Sequence, residues 1–202
     1  MRRTKEDAEQ TKQTLLDAAL VIFSRDGFAA SRLVDIAKEA DVTRGAIYHH
    51  FENKADLYLA LIHRAEEEQQ AVMQAAIESG GTIADITRRI MTAAFEALAS
   101  RPTFRSVMEL SLFKVADSQE LGNLIEKRKE EAVFLIDGIA GVMAQGISDG
   151  LFRADLNPKT AARAFIAYQQ GVIRLWLANP QAFAIDKEAA QLTDIYMKGI
   201  LI

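Results

Sequence analysis

The chain has 202 residues, 50% of them apolar, enough to bury one substantial core or two modest ones. It contains no cysteine, so disulfides, thiolate metal sites and cysteine nucleophiles are excluded. The net charge of −4 is unevenly spread: residues 1–64 hold ten Lys/Arg and ten Asp/Glu, residues 65–202 hold 14 and 18.

Three prolines and 11 glycines leave room for long helices, and no convincing strand alternation interrupts them. The expected fold is all-α with about nine helices. Met1-Arg2-Arg3-Thr4-Lys5 opens into a polar segment, not a signal-peptide core, and no apolar run approaches membrane-spanning length. A cytoplasmic protein without a membrane partner is the expectation.

In chain order, a first helix is expected from about Asp7 to Arg25, with Leu15, Ala18, Ala19, Ile22 and Phe23 inward and Gly27 as its stop. Residues 31–54, SRLVDIAKEADVTRGAIYHHFENK, then read as two short helices joined by a tight turn. Leu33, Ile36, Ala37 and Ala40 recur at the spacing of one apolar helix face, with Ser31 ahead of them as N-cap. Asp41-Val42-Thr43 is too short for anything but two helices meeting at a steep angle, and Thr43 caps the second. There Ala46, Ile47 and Phe51 face inward, leaving Arg44, Gly45, Tyr48 and His49 outward. A guanidinium, a phenol, an imidazole and a bare backbone position on one outer face suit phosphates and base edges.

Further on, a long helix is expected from Ala55 to Glu78, broken by Ser79-Gly80-Gly81. Thr82 and Asp85 have capping-box spacing, opening a helix to about Ser100 that Arg101-Pro102 ends. A segment from Thr103 to Val115 precedes a long helix from about Glu120 to Asp149, stopped at Gly150. Asn157-Pro158 starts a helix to Ala178, and Asp186 caps a last one running nearly to Ile202.

The stretch VTRGAIYHHFENKADL, with TKQTLLDAALVIFSRDGFAASRLVDIA upstream, closely resembles the TetR/AcrR family of transcriptional regulators. RSVMELSLFK and GVIRLWLANPQAFAIDKEA are similar to segments of its multidrug-efflux repressor branch. The resemblance implies a helix-turn-helix DNA-binding domain over residues 1–54 and a ligand-binding and dimerisation domain over 55–202. It implies phosphate contacts from Thr43, Tyr48 and Lys54, with Arg44, Gly45 and His49 nearest the bases and His50 packing the motif or touching phosphate. Ser31, Arg32 and Ala46 complete the expected DNA-binding set. Arg2, Arg3 and Lys5 are either an arm following a groove or a disordered basic terminus. The partner is palindromic double-stranded operator DNA. A neutral head binds it weakly alone, so affinity rests on two half-sites and falls with salt.

The body carries an unusual supply of bulky apolar residues between Phe95 and Trp176, most of which belong to a core. Interleaved methionine, aromatic and isolated polar groups on helices that the family uses to wall a cavity point to a small lipophilic or aromatic effector. The expected ligand-binding set is Glu66, Met108, Leu112, Phe165, Tyr168 and Gln169. Glu66 would present a carboxylate suited to cationic drugs. The last two helices are apolar on several sides, and the family builds its homodimer from them as a four-helix bundle. Gly171, Arg174, Leu175, Ile195 and Tyr196 are the expected interface residues.

Enzymatic readings find little support, with no phosphate-binding glycine loop, no HExxH and no GxSxG. His63 and Glu67 stand four apart, but two ligands do not make a metal site. No catalytic residue, metal or cofactor is expected. The functional expectation is a ligand-responsive repressor of a multidrug efflux system, released from its operator by a lipophilic small molecule, with a TetR-type regulator of a metabolic pathway sensing an acyl or aromatic metabolite as the alternative.

Overall fold

The computed structural model describes residues 5–114 and 121–202 of the chain. Among the described residues there are nine α-helices: α1 Lys5–Ala30, α2 Leu33–Glu39, α3 Arg44–His50, α4 Lys54–Glu78, α5 Ile83–Ser100, α6 Pro102–Glu109, α7 Gly122–Ser148, α8 Pro158–Ala178 and α9 Ile185–Ile200. A π-helical turn, Leu110–Lys114, continues α6, and one isolated antiparallel bridge pairs Phe152 with Leu201. The all-helical expectation holds.

The chain divides into two compact units, Met1–Glu67 with Ser106–Gly122, and Glu68–Arg105 with Asn123–Ile202. Helix α4 contributes to both, its first turns belonging to the head unit.

The core of the head unit forms where the apolar face of α1 meets its neighbours. Leu15, Leu16, Ala19, Ile22 and Phe23 are buried, as are Ile36 and Ala37 of α2, Ile47 of α3, and Leu57, Tyr58 and Leu61 of α4. Phe23, Phe28 and Tyr58 pack as a ring trio with centroids 5.4–6.3 Å apart, geometry that adds orientation to apolar burial. Arg64 ties α4 to α1 through Asp17 at 2.8 Å.

Two local expectations in the head need correction. Gly27 does not stop α1 outright: with φ 75° and ψ 163° it kinks the helix for one residue, after which Phe28–Ala30 resume helical form. Ser31 is not the N-cap of α2, a position held by Arg32 without a side-chain bond. The Ser31 hydroxyl donates backward to the Gly27 carbonyl instead, satisfying an acceptor that the kink leaves open. Thr43 does cap α3, accepting from the Ala46 N–H at 3.2 Å.

In the second unit, α5 packs along α9, joined by Thr92–Thr193 at 3.0 Å and an Arg88–Asp194 ion pair. The capping box at Thr82 and Asp85 is complete, and its hydroxyl and backbone bonds hold the Asp85 carboxyl below its usual range. Arg89 donates to the carbonyls of Ala76 and Gly80, clasping the C-terminal end of α4. Asn157 caps α8 with Pro158 at its first turn, as its sequence requires. Asp186 does not cap α9. That position is Ala184, without a side-chain bond, and Asp186 sits one step inside, where a carboxylate still favours the positive helix end.

The expected end of the segment at Val115 and the expected start of the long helix near Glu120 lie outside the described residues. The expectation that no apolar run approaches membrane-spanning length needs correction: among the described residues one stretch, Glu130–Ser148 of α7, is long and apolar enough to cross a membrane by length and composition alone. Glu130, Glu131 and Asp137 punctuate this run in the sequence. The last turn of α7 is fixed by close packing: a Cβ on Gly146 would collide with the buried Phe152 ring.

Candidate nucleic-acid interface

Helix α3 is short, and its seven residues divide cleanly by face. Ile47 is fully buried and Ala46 half-buried, while Thr43, Arg44, Gly45, Tyr48 and His49 are exposed. This is the expected outward set. Tyr48 keeps 47% of its surface exposed, a large aromatic left to solvent, and the Arg44 guanidinium lies 5.6 Å over its ring. Gly45 has no packing reason to be glycine: a Cβ there would meet only Thr43 Oγ1, at an ordinary 3.9 Å. His50 is half-buried, its ring 5.2 Å from that of His49 and 6.3 Å from that of the buried Phe51.

Helix α2 lies against α1 and α3, and Asp41 turns the chain between the reading helices with φ 52°. The left-handed residue is an aspartate, one of the few side chains that tolerates it. Arg32 is exposed at the start of α2.

Two members of the expected DNA-binding set face the other way. Ser31 is 4% exposed, its hydroxyl turned to Gly27 and its carbonyl accepting from Lys54. Lys54 Nζ donates to the carbonyls of Ala29 and Ser31 at 3.2 and 3.3 Å and covers the Phe28 ring. Sequence reasoning missed this joint. The signal was available: a lysine as the first residue of a helix opposes the positive end of the helix dipole and calls for carbonyl partners elsewhere. Residues Arg2 and Arg3 lie outside the described residues, and Lys5 begins α1 exposed.

The expected effector residues divide between the units. In the head unit, Met108 and Leu112 are half-buried on α6 and its π-helical turn. Glu66 is also there, with 45% of its side chain exposed and a carboxylate oxygen 3.9 Å from His63 Nδ1. His63 thus faces Glu66, not Glu67. In the second unit, Phe165 is buried and meets the Tyr196 ring edge-on at 5.6 Å. The Tyr168 hydroxyl donates to the Leu192 carbonyl at 2.7 Å, Gln169 is half-buried beside it, and burial raises the Tyr168 pKa.

On α8 and α9 the exposed positions include Gly171, Arg174, Leu175 at 69% and Ile195 at 58%. Leu175 and Ile195 thus leave bare apolar side chains on two helices that contact each other. Tyr196 differs from the other expected interface residues in being buried within its own chain. It is 8% exposed, its hydroxyl donates to the Ala161 carbonyl at 3.2 Å, and burial pushes its pKa up to about 12. Its side chain serves the α8–α9 contact within one chain.

Comparison with known proteins agrees with this geometry. Residues 15–61 match the bacterial regulatory proteins of the tetR family, and residues 84–201 match the C-terminal region of MAATS-type transcriptional repressors. The HTH-type transcriptional regulator AcrR of Shigella flexneri is 30% identical over 202 residues, covering 100% of this chain and 94% of that protein. NalD, the secondary repressor of the MexAB-OprM multidrug efflux pump in Pseudomonas aeruginosa, superposes with a TM-score of 0.81 at 24% identity, covering 98% of each chain. A SmeT–triclosan complex superposes with a TM-score of 0.81 at 25% identity, covering 96% of this chain and 92% of that one. With both its head and its body matched in this way, the chain belongs to the TetR family of bacterial transcriptional regulators.

Proposed function

We propose that the protein is a homodimeric repressor of a multidrug efflux system, released from palindromic operator DNA by a small lipophilic or aromatic effector. The observation that carries the DNA-reading part is the exposed face of α3, where Arg44, Gly45, Tyr48 and His49 stand clear of the core. Arg44 and His49 reach base edges, Thr43 and Tyr48 hold phosphates, and Arg32, Ala46 and His50 flank them. Such a protein works in the cytoplasm, where its operator lies. The relation to an efflux-pump repressor and to a triclosan-bound regulator supports the choice of branch.

The switch is geometric. In the DNA-competent state the two copies of α3 sit about one DNA turn apart, ~34 to 36 Å, and enter successive major grooves. Functionally the division falls after Lys54, with α4 linking reading head to body, and an effector favours a state in which that spacing no longer matches. A 100-fold preference for that state supplies about 2.7 kcal/mol of coupling. The candidate effector contacts are Phe165, Tyr168 and Gln169 in the second unit and, separately, Met108, Leu112 and Glu66 in the head unit; the dimer is formed by α8 and α9 with Gly171, Arg174, Leu175 and Ile195 exposed and Tyr196 beneath them.

The test is a fluorescence titration of the purified protein on a duplex it recovers from a random-sequence pool, repeated with triclosan, a lipophilic cation and a long-chain acyl thioester. Release by the first two is the expected result. Release by the acyl thioester alone identifies a metabolic regulator, and failure to enrich any duplex overturns the reading.

A further inference from the structure

We infer that the outer face of α7 docks on the same face of a second copy of this chain, in a weak antiparallel contact centred on Gly138. The inference goes beyond the operator-binding role and does not depend on it. Helix α7 is apolar on two sides, which is why its Glu130–Ser148 run is apolar enough to cross a membrane. At roughly 100° per residue, Ile136, Ile139, Ala140, Met143 and Ile147 share one side, and each is buried or half-buried. Phe134, Leu135, Gly138, Gly141 and Val142 share the opposite side, and every one is exposed, Phe134 by 78%. A helix that is apolar all round is stable in water only with cover on both sides, and the second side of α7 stands open.

Shape, charge and area all point to a second copy as the cover. With a two-fold axis at Gly138, antiparallel pairing sets Phe134 of each copy over Gly141 of the other, and Leu135 against Val142. A Cβ at Gly138 or Gly141 meets nothing of its own chain within 4 Å, so a ring from outside can lie close to this backbone. The chain is acidic, with net charge −4, so most of its surface repels its own kind. Between Glu131 and Asp149, however, the one ionised side chain of α7 is Asp137, which Lys159 of α8 neutralises at 2.8 Å. In this register Glu131 stands level with Gln145 of the second copy, so carboxylates do not oppose each other. Phe134, Leu135 and Val142 expose on the order of 300 Å² together, against the roughly 800 Å² per partner of a standard stable interface. The contact is therefore weak and forms at high local concentration, through residues other than those of the α8–α9 face.

The chain has no cysteine, so Gly138→Cys places its single thiol on the axis of this contact. At about 100 µM under mild oxidation, the Gly138→Cys chains should link in pairs at least about tenfold faster than those of Ala132→Cys, whose thiol is exposed on another side of α7. The same linking should persist in a Leu175→Glu background, so that failure of the α8–α9 dimer and failure of this contact are told apart. Sedimentation velocity of the parent from about 5 to about 200 µM should show its average mass rising with concentration. Phe134→Glu should move that rise to at least about tenfold higher concentration and leave the thermal melt unchanged. Gly141→Leu distinguishes a fitted contact from a sticky face. It adds apolar surface where its own chain leaves room, yet fills the place of the Phe134 ring, so association should fall. Association that rises in Gly141→Leu, equal linking of the two thiols, or a parent of constant mass across the range overturns the inference. Flotation of the parent with phosphatidylcholine vesicles, lost in Phe134→Glu, would assign the face to a lipid surface and overturn it as well.

Discussion

The Arg44 guanidinium rests 5.6 Å over the ring of Tyr48, one helical turn further along α3, and both side chains stay exposed. Two long reading side chains thereby brace each other on a face the core does not use. Arg44→Ala and Tyr48→Ala should each weaken operator binding by roughly 10- to 100-fold per half-site, enough to abolish a shift in a gel titration. Neither change should alter the thermal melt, because neither side chain is packed. Unchanged affinity in either variant would remove α3 from the DNA interface.

Gly146 and Phe152 make the tightest packing prediction. A methyl at 146 would strike the buried Phe152 ring, whose backbone N–H also bonds the Gly146 carbonyl at 3.0 Å. Gly146→Ala should cost about 1–3 kcal/mol and lower Tm by several degrees, whatever it gains in helix propensity. Calorimetry of the variant checks this, and a melt equal to or above the parent's would contradict the packing.

Tyr196 gives stability an alkaline limit. Its pKa is raised from 10.0 to about 12, so the folded chain keeps a proton that the unfolded chain gives up. The stability involved is fully present below pH 10.0 and is lost as pH rises through about 12. Tyr196→Phe should be less stable at neutral pH by about 1 kcal/mol through loss of the bond to Ala161 O, yet show a shallower alkaline decline. Urea midpoints of both proteins measured from neutral pH upward compare the two slopes. Parallel curves would show that Tyr196 does not set the limit.

Leu175 and Ile195 are the largest apolar groups left exposed on α8 and α9. If these helices form the dimer, Leu175→Glu or Ile195→Glu places an unpaired charge in a desolvated interface, at a cost of several kcal/mol. Sedimentation velocity at micromolar concentration should then show monomer, with helical content unchanged. A dimer that persists in both variants would move the interface elsewhere.

Much of the fold is legible because its signals are local. Capping at Thr43, Thr82 and Asn157 follows from side chains within three residues of the amides they bind. The same locality misleads where a side chain has a better partner elsewhere. Ser31 looks like a cap, but the Gly27 kink offers its hydroxyl a carbonyl one turn back. Asp186 looks like a cap, yet Ile185 is buried and starts the helix one residue sooner. The outward face of α3 was legible because a seven-residue helix with one buried residue, Ile47, leaves little choice about which side is out. The roles of Lys54 and Tyr196 were not, since their partners lie 25 and 35 residues away.

The sequence by itself determined the helical class, most helix ends, and the set of side chains that α3 turns outward, because periodicity and capping act within one or two turns. Only the tertiary structure decided that Lys54 meets the carbonyls of Ala29 and Ser31 and that Tyr196 packs within its own chain on Ala161. Those choices depend on which carbonyls, rings and charges distant segments bring within a few ångströms. No spacing rule along the chain carries that information.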